Sequence, residues 1–320
     1  MRLSYKQIEY LREVAAHSSI SAACKKLHIS QSSVLAAIDI AESVTGVKLF
    51  NRRKGHGIEL TPYGHKFLVS AHRFIAAGDD FERSLDQFSQ TKSTTIRIGC
   101  FAPFGALLIP PVLKKYTEIH GECEIVLLEG NQIELRSWLA TGAVDLIVTY
   151  DIGEEFVNGV TPICKFPAHA IINADNPVTQ NSSISIDELA QMPMILLDLP
   201  ETRTYLLALF DFAARRPKIG LRTKSYETVR SAVSNGLGMS ILNIKPLDSL
   251  EIDNIVRMPI SDQLRQPTLL VVDPYEDQKP NYVREFIYTL YEYFTDIGPE
   301  NLVVAMPEYR QDIIYPRPNI

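Results

Sequence analysis

The sequence predicts two fold classes in series: an all-α head with a long helix behind it, then an α/β body divided into two lobes. Up to residue 88 the apolar residues recur at helical spacing. From residue 95 onward, short apolar runs alternate with helical stretches. The charge divides in the same place. Residues 1–66 hold ten Lys/Arg against five Asp/Glu, a net +5, and the remainder holds 22 against 33, a net −11, within an overall charge of −6. At 320 residues with 46% hydrophobic side chains, the chain is long enough for two or three domains, each with a real core.

In the head, Ile8, Leu11, Val14 and Ala15 mark a first helix. Ser19 or Ser21 can cap a second helix through Leu27, and the small Ala22 and Ala23 let another helix cross closely. Leu27, His28 and Ile29 form a tight apolar turn. Ser30 then caps a third helix, with Val34, Ile38 and Ala41 on one face. This is a helix-turn-helix, whose last helix enters the DNA major groove with its N-terminal side chains nearest the bases. Lys25, Lys26, Ser30, Gln31, Ser32 and Ser33 are therefore candidate DNA contacts, with Gln31 able to pair bidentately with adenine. Arg52, Arg53, Lys54 and Thr61 follow as a wing whose cations suit phosphates. A basic head on an acidic body is the electrostatic footprint of such a module.

Pro62 suits the first turn of a new helix. In it Phe67, Ala71, Phe74, Gly78, Phe81, Leu85 and Phe88 hold an unbroken heptad spacing, expected to be a dimer seam. Residues 87–95 are polar and aperiodic, a hinge. The body then reads as strand 96–99, helix 107–119, strand 124–128, helix 133–140 and strand 144–149. A second series covers 168–172, 186–190, 194–197, 205–214, 221–224, 228–234 and 239–242, and the chain returns with strand 268–272 and helix 283–294. Parallel sheets covered by helices are expected. Residues 298–320, with four prolines, read as an irregular tail. Leu302, Val303, Val304, Ile313 and Ile314 leave open whether it is disordered or packed.

Other classes find little support. No apolar run reaches the ~18 residues needed to span a bilayer, and the polar N-terminus shows no signal peptide, so a cytoplasmic protein without membrane attachment is expected. Cys24, Cys100, Cys123 and Cys164 lack the spacing of a disulfide framework or metal site. There is no nucleophile elbow, P-loop or dinucleotide fingerprint, and His65 and His72 stand seven apart on one helix. No enzyme activity, cofactor or metal is expected. A redox sensor is the alternative mechanism, and it would need an activated thiol.

The segments Ala22-Ala23, Leu27-His28-Ile29-Ser30-Gln31, Gly46-Val47-Lys48-Leu49-Phe50-Asn51-Arg52 and Leu60-Thr61-Pro62-Tyr63-Gly64 resemble the pattern of the LysR-type transcriptional regulators. The order of the later segments fits as well, so the resemblance spans nearly the whole chain. It implies a winged helix-turn-helix DNA-binding domain over 1–62 on promoter DNA and a linker helix over 63–90 that makes a homodimer. It also implies a periplasmic-binding-protein-like (type 2) effector domain over 95–297, with lobe I at 95–163 and 266–297 and lobe II at 164–265. The tail 298–320 follows. A homotetramer and RNA polymerase as a partner belong to the same expectation. Leu35, Ala36, Asp39, Ile40 and Thr45 depart from the family pattern, which removes long polar readers from the middle of the recognition helix and shifts reading to residues 31–33 and the wing.

A small-molecule effector is expected between the lobes, at the C-terminal ends of strands. Cys100, Phe101 and Ala102 follow the first strand, Asn131 starts a helix and Tyr150 ends a strand. Thr202, Arg203 and Thr204 gather at another helix start, a possible cradle for an organic anion. Phe101 and Phe104 suit an aromatic portion of the ligand.

Overall fold

The computed structural model describes residues 2–53, 57–86, 95–246 and 254–320. Three helices open the chain: α1 (Tyr5–His17), α2 (Ile20–Leu27) and α3 (Gln31–Thr45). Local chemistry sets their ends. Ser4, Ser19 and Ser30 cap them by accepting from Gln7, Ala22 and Ser33 backbone N–H groups. His28 and Gly46 close α2 and α3 in the left-handed conformation. The wing is the antiparallel pair β1 (Phe50–Arg53) and β2 (Gly57–Leu60). The buried Glu42 carboxylate ties it to α3, accepting from the Leu49 and Phe50 amides at 2.9 and 3.2 Å and from Lys48. Burial pushes this acid up, but Lys48 and the two amides outweigh that and hold it below the usual value.

The linker α4 runs Pro62–Asp86. Its heptad residues do not share one face. Ala71 is buried in the core of the head, and Gly78 lies so close to the Tyr5 ring that an added Cβ would stand 2.6 Å from it. Phe74 and Phe81 of the other row are 36% and 61% exposed. The row of Ala71 and Gly78 thus packs on its own chain; in the other row Phe67 is half-buried against the same core and Phe74 meets the Tyr5 ring at 6.0 Å, while Phe74 and Phe81 keep exposed surface. Phe88 and most of the expected hinge lie outside the described residues, and Thr95 already begins a strand.

Lobe I contains β3 (Thr95–Phe101), α5 (Ala102–Leu107), α6 (Ile109–His120), β4 (Glu124–Gly130), α7 (Gln132–Thr141), β5 (Leu146–Tyr150) and β6 (Val160–Lys165). Lobe II contains β7 (His169–Asn173), a short 3-10 turn, α8 (Ile186–Leu189), β8 (Met194–Leu197), α9 (Pro200–Ala208), β9 (Ile219–Thr223), α10 (Tyr226–Ser234), β10 (Ser240–Leu242) and β11 (Ile255–Pro259). The chain returns to lobe I with β12 (Thr268–Val272), α11 (Asn281–Ile297) and the short α12 (Pro299–Leu302).

The sheets are mixed where parallel ones are expected. In the order β4-β3-β5-β12-β6, only β4, β3 and β5 run parallel; the returning β12 pairs antiparallel with both β5 and β6. Lobe II joins an antiparallel β10-β7-β11 sheet to the parallel pair β8-β9, and Met239 bridges them at Met194. β6 and β11 have no counterpart among the expected strands. Each contains a proline, which in sequence argues against a strand yet is tolerated at a sheet edge. Helix α9 spans 200–208 instead of 205–214, because Pro200 takes its first turn.

The tail is packed. Ile313 accepts from the Lys165 amide at 2.8 Å and Tyr315 donates to Ile163 at 2.9 Å, so the tail continues the sheet past β6 and covers its edge. Leu302, Val303, Ala305 and Ile313 are buried.

Head and body also meet. His72 of α4 lies against Gly142, and Arg73 bonds the Pro274 carbonyl at 3.2 Å and Glu276 at 2.8 Å. Arg12, Asp79, Asp145, Tyr275 and Tyr282 complete this junction.

Candidate functional site

The head presents a polar helix start. The Ser30 hydroxyl is engaged by the Ser33 amide at 3.2 Å and by the Ser32 and Ser33 hydroxyls. Gln31, Ser32 and Ser33 are exposed at the first turn of α3, while Val34, Ala37, Ile38 and Ala41 of the same helix are buried. Lys25 and Lys26 are exposed in the last turn of α2. The backbones of Arg52 and Arg53 lie in β1, and Lys54 lies outside the described residues. Thr61 is a correction. Its side chain is buried, donates to the Lys48 carbonyl at 2.6 Å and accepts from the Gly64 amide at 3.0 Å, so it caps α4 and joins it to the wing.

Between the lobes lies a cavity of about 20 Å³. Lobe I contributes Phe101, Pro103, Tyr150 and Ile152; lobe II contributes Leu197, Thr202, Tyr226 and Asn243. These positions stand at the C-terminal ends of β3, β5, β8 and β10 or in the helix that follows, where side chains from both sheets converge. Phe104 stacks edge-on to Tyr150 at 4.8 Å and backs the wall. Among the described residues no charged side chain lines the cavity. The Tyr150 hydroxyl is buried without a hydrogen-bond partner among the described residues. Asn243 is anchored by donating to the Phe166 carbonyl and the Tyr205 hydroxyl, both at 2.9 Å.

The lobes are fastened at the rim. Arg136 of α7 grips both Glu201 oxygens of α9 at 2.8 and 2.9 Å, and lies over the Phe156 ring. Gln132 reaches the Thr202 hydroxyl at 3.5 Å. On the far side of α9 a wider groove of about 510 Å³ is bordered by Glu201, Thr204, Phe212 and Arg265.

Of the expected effector residues, Phe101, Tyr150 and Thr202 line the cavity. Cys100 and Phe101 belong to β3, not to a loop, since they pair with Glu129 and Gly130. Cys100 is fully buried and lies behind the cavity wall, and Ala102 begins α5. Asn131 is occupied in capping α7. Arg203 and Thr204 face away: Arg203 pairs with Asp198 at 2.9 Å, and Thr204 donates to the Pro200 carbonyl at 3.2 Å. The anion cradle is therefore not assembled. The strand-end rule could have found Asn243, next to the end of β10. Gln132, Arg136 and Glu201 carry no local signal, because their partners are distant in sequence.

No pair of cysteines is bonded among the described residues. Burial, with Glu129 adding to it, pushes the Cys100 thiol up to about 12, and burial alone raises Cys164 and Cys123. These thiols lack the activation that redox sensing needs.

Comparison with known proteins agrees with both parts. Residues 5–65 match the family described as bacterial regulatory helix-turn-helix protein, lysR family, and residues 89–295 match the LysR substrate binding domain. The chain is 27% identical over 246 residues to the HTH-type transcriptional regulator CfxR of Cupriavidus necator, covering 77% of each. Among solved structures it is similar to HinK, a LysR family transcriptional regulator from Pseudomonas aeruginosa, with 26% identity, a TM-score of 0.57 and coverage of 91% of this chain and 98% of that one. It shares the fold of a full-length OxyR variant from the same organism, with 22% identity, a TM-score of 0.68 and coverage of 91% and 94%.

Proposed function

The chain belongs to the LysR family of bacterial transcriptional regulators, and we propose which of its residues perform that work. The head reads duplex DNA through the start of α3, with Gln31, Ser32 and Ser33 at the bases, while Arg52, Arg53 and Lys54 of the wing and Lys25 and Lys26 meet phosphates. The carrying observation is the division of α3. Its buried side chains hold the head together, and its exposed first turn has no packing role. Gln31→Ala is expected to cost about 1–3 kcal/mol of discrimination at one base pair. Arg52→Ala lowers affinity for all duplexes and lessens the salt slope by about one. Gel-shift titrations with DNA from upstream of its own gene test both, and unchanged affinity in the two variants overturns the assignment.

The effector enters the cavity between the lobes and shifts their closure, which alters how paired heads are placed on DNA. Pairing runs through the outward row of α4, supported by the exposure of Phe74 and Phe81. Phe74→Asp with Phe81→Asp buries like charges across such a seam and should give monomers in sedimentation; a dimer that persists rejects this interface. The chain acts by binding, not catalysis, in the cytoplasm; no described helix is long and apolar enough to cross a membrane. A homotetramer and contact with RNA polymerase complete the proposal.

A further inference from the structure

Resting on the regulator reading above, we propose that the interlobe cleft is built for an uncharged ligand with an aromatic or apolar body and one hydrogen-bonding group, and not for an organic anion. The cavity wall is aromatic and aliphatic, with Phe101, Tyr150 and Tyr226 as its flat surfaces and no charged side chain. Flat apolar walls gain from burying a ring. The Tyr150 hydroxyl, on a residue only 3% exposed, has no partner among the described residues. An orphaned buried hydroxyl costs stability until something bonds it, and a ligand in this cavity is placed to do so.

Among the described residues no charged side chain lines the cleft to meet an anion, and the arginines around it are engaged. Both terminal nitrogens of Arg136 are engaged, by Glu201 and by the Ile152 and Glu154 carbonyls, and only its Nε–H is without a partner among the described residues. Arg203 is held by Asp198 and Arg265 by Asp151. Behind the lining, Arg257 bonds His169 Nε2 at 2.9 Å and the hydroxyl of Tyr226, and Arg230 pairs with Glu227 at 3.3 Å beside the Tyr226 ring. The start of α9, whose dipole favours negative charge, already carries Glu201 in its first turn and has Asp198 just before it. A carboxylate entering the cavity must draw one of these arginines out of its present contacts or stay buried uncompensated, which is costly. A neutral ligand needs only the hydroxyl. At about 20 Å³ the cavity is far below the roughly 300 Å³ of a ligand site, so the lobes part to admit it, and the Arg136–Glu201 clasp is the contact that yields.

The test uses the full chain and two pairs of probes matched in shape but differing in charge: benzamide with benzoate, and indole-3-carboxamide with indole-3-carboxylate. Binding is read by thermal midpoint and by the fluorescence of Trp138, the sole tryptophan, whose ring packs over Gly130 at the end of β4. The neutral members are expected to raise the midpoint at millimolar concentration and the carboxylates to leave it unchanged. Tyr150→Phe should weaken neutral binding about tenfold, Thr202→Val serves as a second cavity variant, and Arg203→Ala should have no effect. A carboxylate that binds as tightly as its neutral partner overturns the proposal. So does a neutral series without any shift, or neutral binding that survives both cavity variants. Duplex binding measured on the same sample separates the two readings: a chain that takes the neutral probes but no DNA fails as a regulator while its ligand class stands.

Discussion

Lobe I touches the rest of the chain at two junctions of opposite chemistry. Toward lobe II it presents a wall free of charged side chains among the described residues, fastened at the rim by the ion pairs Arg136–Glu201 and Arg265–Asp151. Toward the head it presents buried and half-buried polar groups: Asp145, Tyr275 and Tyr282 meet Arg12, His72 and Asp79. Asp145 accepts from the Arg97 amide at 2.8 Å, and Asp79 accepts from Tyr5 at 2.8 Å. An apolar contact has no preferred register and parts at the cost of exposed area alone. Buried polar groups bond in fixed directions and so set a register, although His72 Nε2 has no partner among the described residues. The cleft is thus suited to opening, and the head junction to holding one docked position.

The largest expected effect is at Gly142. It has φ +71°, and a Cβ there would lie 1.7 Å from His72 Nε2. Gly142→Val should lose about 3–4 kcal/mol from backbone strain and overpacking, read by chemical denaturation. Combining it with His72→Ala should recover the steric part. No recovery would mean that the junction is not formed as described.

Second comes acid. Burial, reinforced by the Arg12 charge, lowers His72 from 6.5 to about 4. The unfolded chain takes up this proton first, so the stability is fully present above pH 6.5 and falls by roughly 3 kcal/mol on the way to pH 4. Burial raises Asp145, despite Arg97, so the folded chain takes up that proton first and stability is gained as pH falls from the raised value toward 3.8, the opposite sense to His72. His72→Gln against the parent, titrated by denaturation, isolates the histidine. Tyr150→Phe in the cleft should leave the profile's shape unchanged, and equal slopes in parent and His72→Gln would erase the contrast.

Smaller is Glu201→Gln at the rim. It leaves Arg136 half-buried with weakened hydrogen bonds, and a loss of about 1–2 kcal/mol is expected. Faster hydrogen exchange over 200–208 would accompany it, and no change there would deny the clasp. The smallest is Arg203→Ala, which removes an exposed pair with Asp198. A change within about 0.5 kcal/mol is expected; a larger one would return Arg203 to the working site.

The head was legible because its determinants are close in sequence. Ser19 and Ser30 cap helices by accepting from amides three residues further on, and the buried face of α3 repeats within one helix. The body was legible as alternating strands and helices, but strand direction was not. Nothing local in residues 268–272 says that the strand enters antiparallel between β5 and β6. At the cleft, Phe101, Tyr150 and Thr202 followed from their places at the ends of strands or the start of a helix. Arg203 misled because its partner Asp198 lies just outside the helix start that suggested an anion. The heptad of α4 misled in part, since spacing alone cannot tell a row that keeps exposed surface from a row packed on the chain's own head.

The sequence by itself determined the two fold classes, the helix-turn-helix, the charge division between head and body, and the family. Each rests on periodicity, caps or composition, which act over a few residues or over whole segments. Only the tertiary structure decided which side chains meet. Gln132 with Thr202, Arg136 with Glu201, His72 with Gly142 and the Cys164 strand with Ile314 are each joined across 65 to 150 residues of chain. Such contacts form because burying apolar surface fixes the layers first, and the polar groups brought along must then find partners where the packing places them.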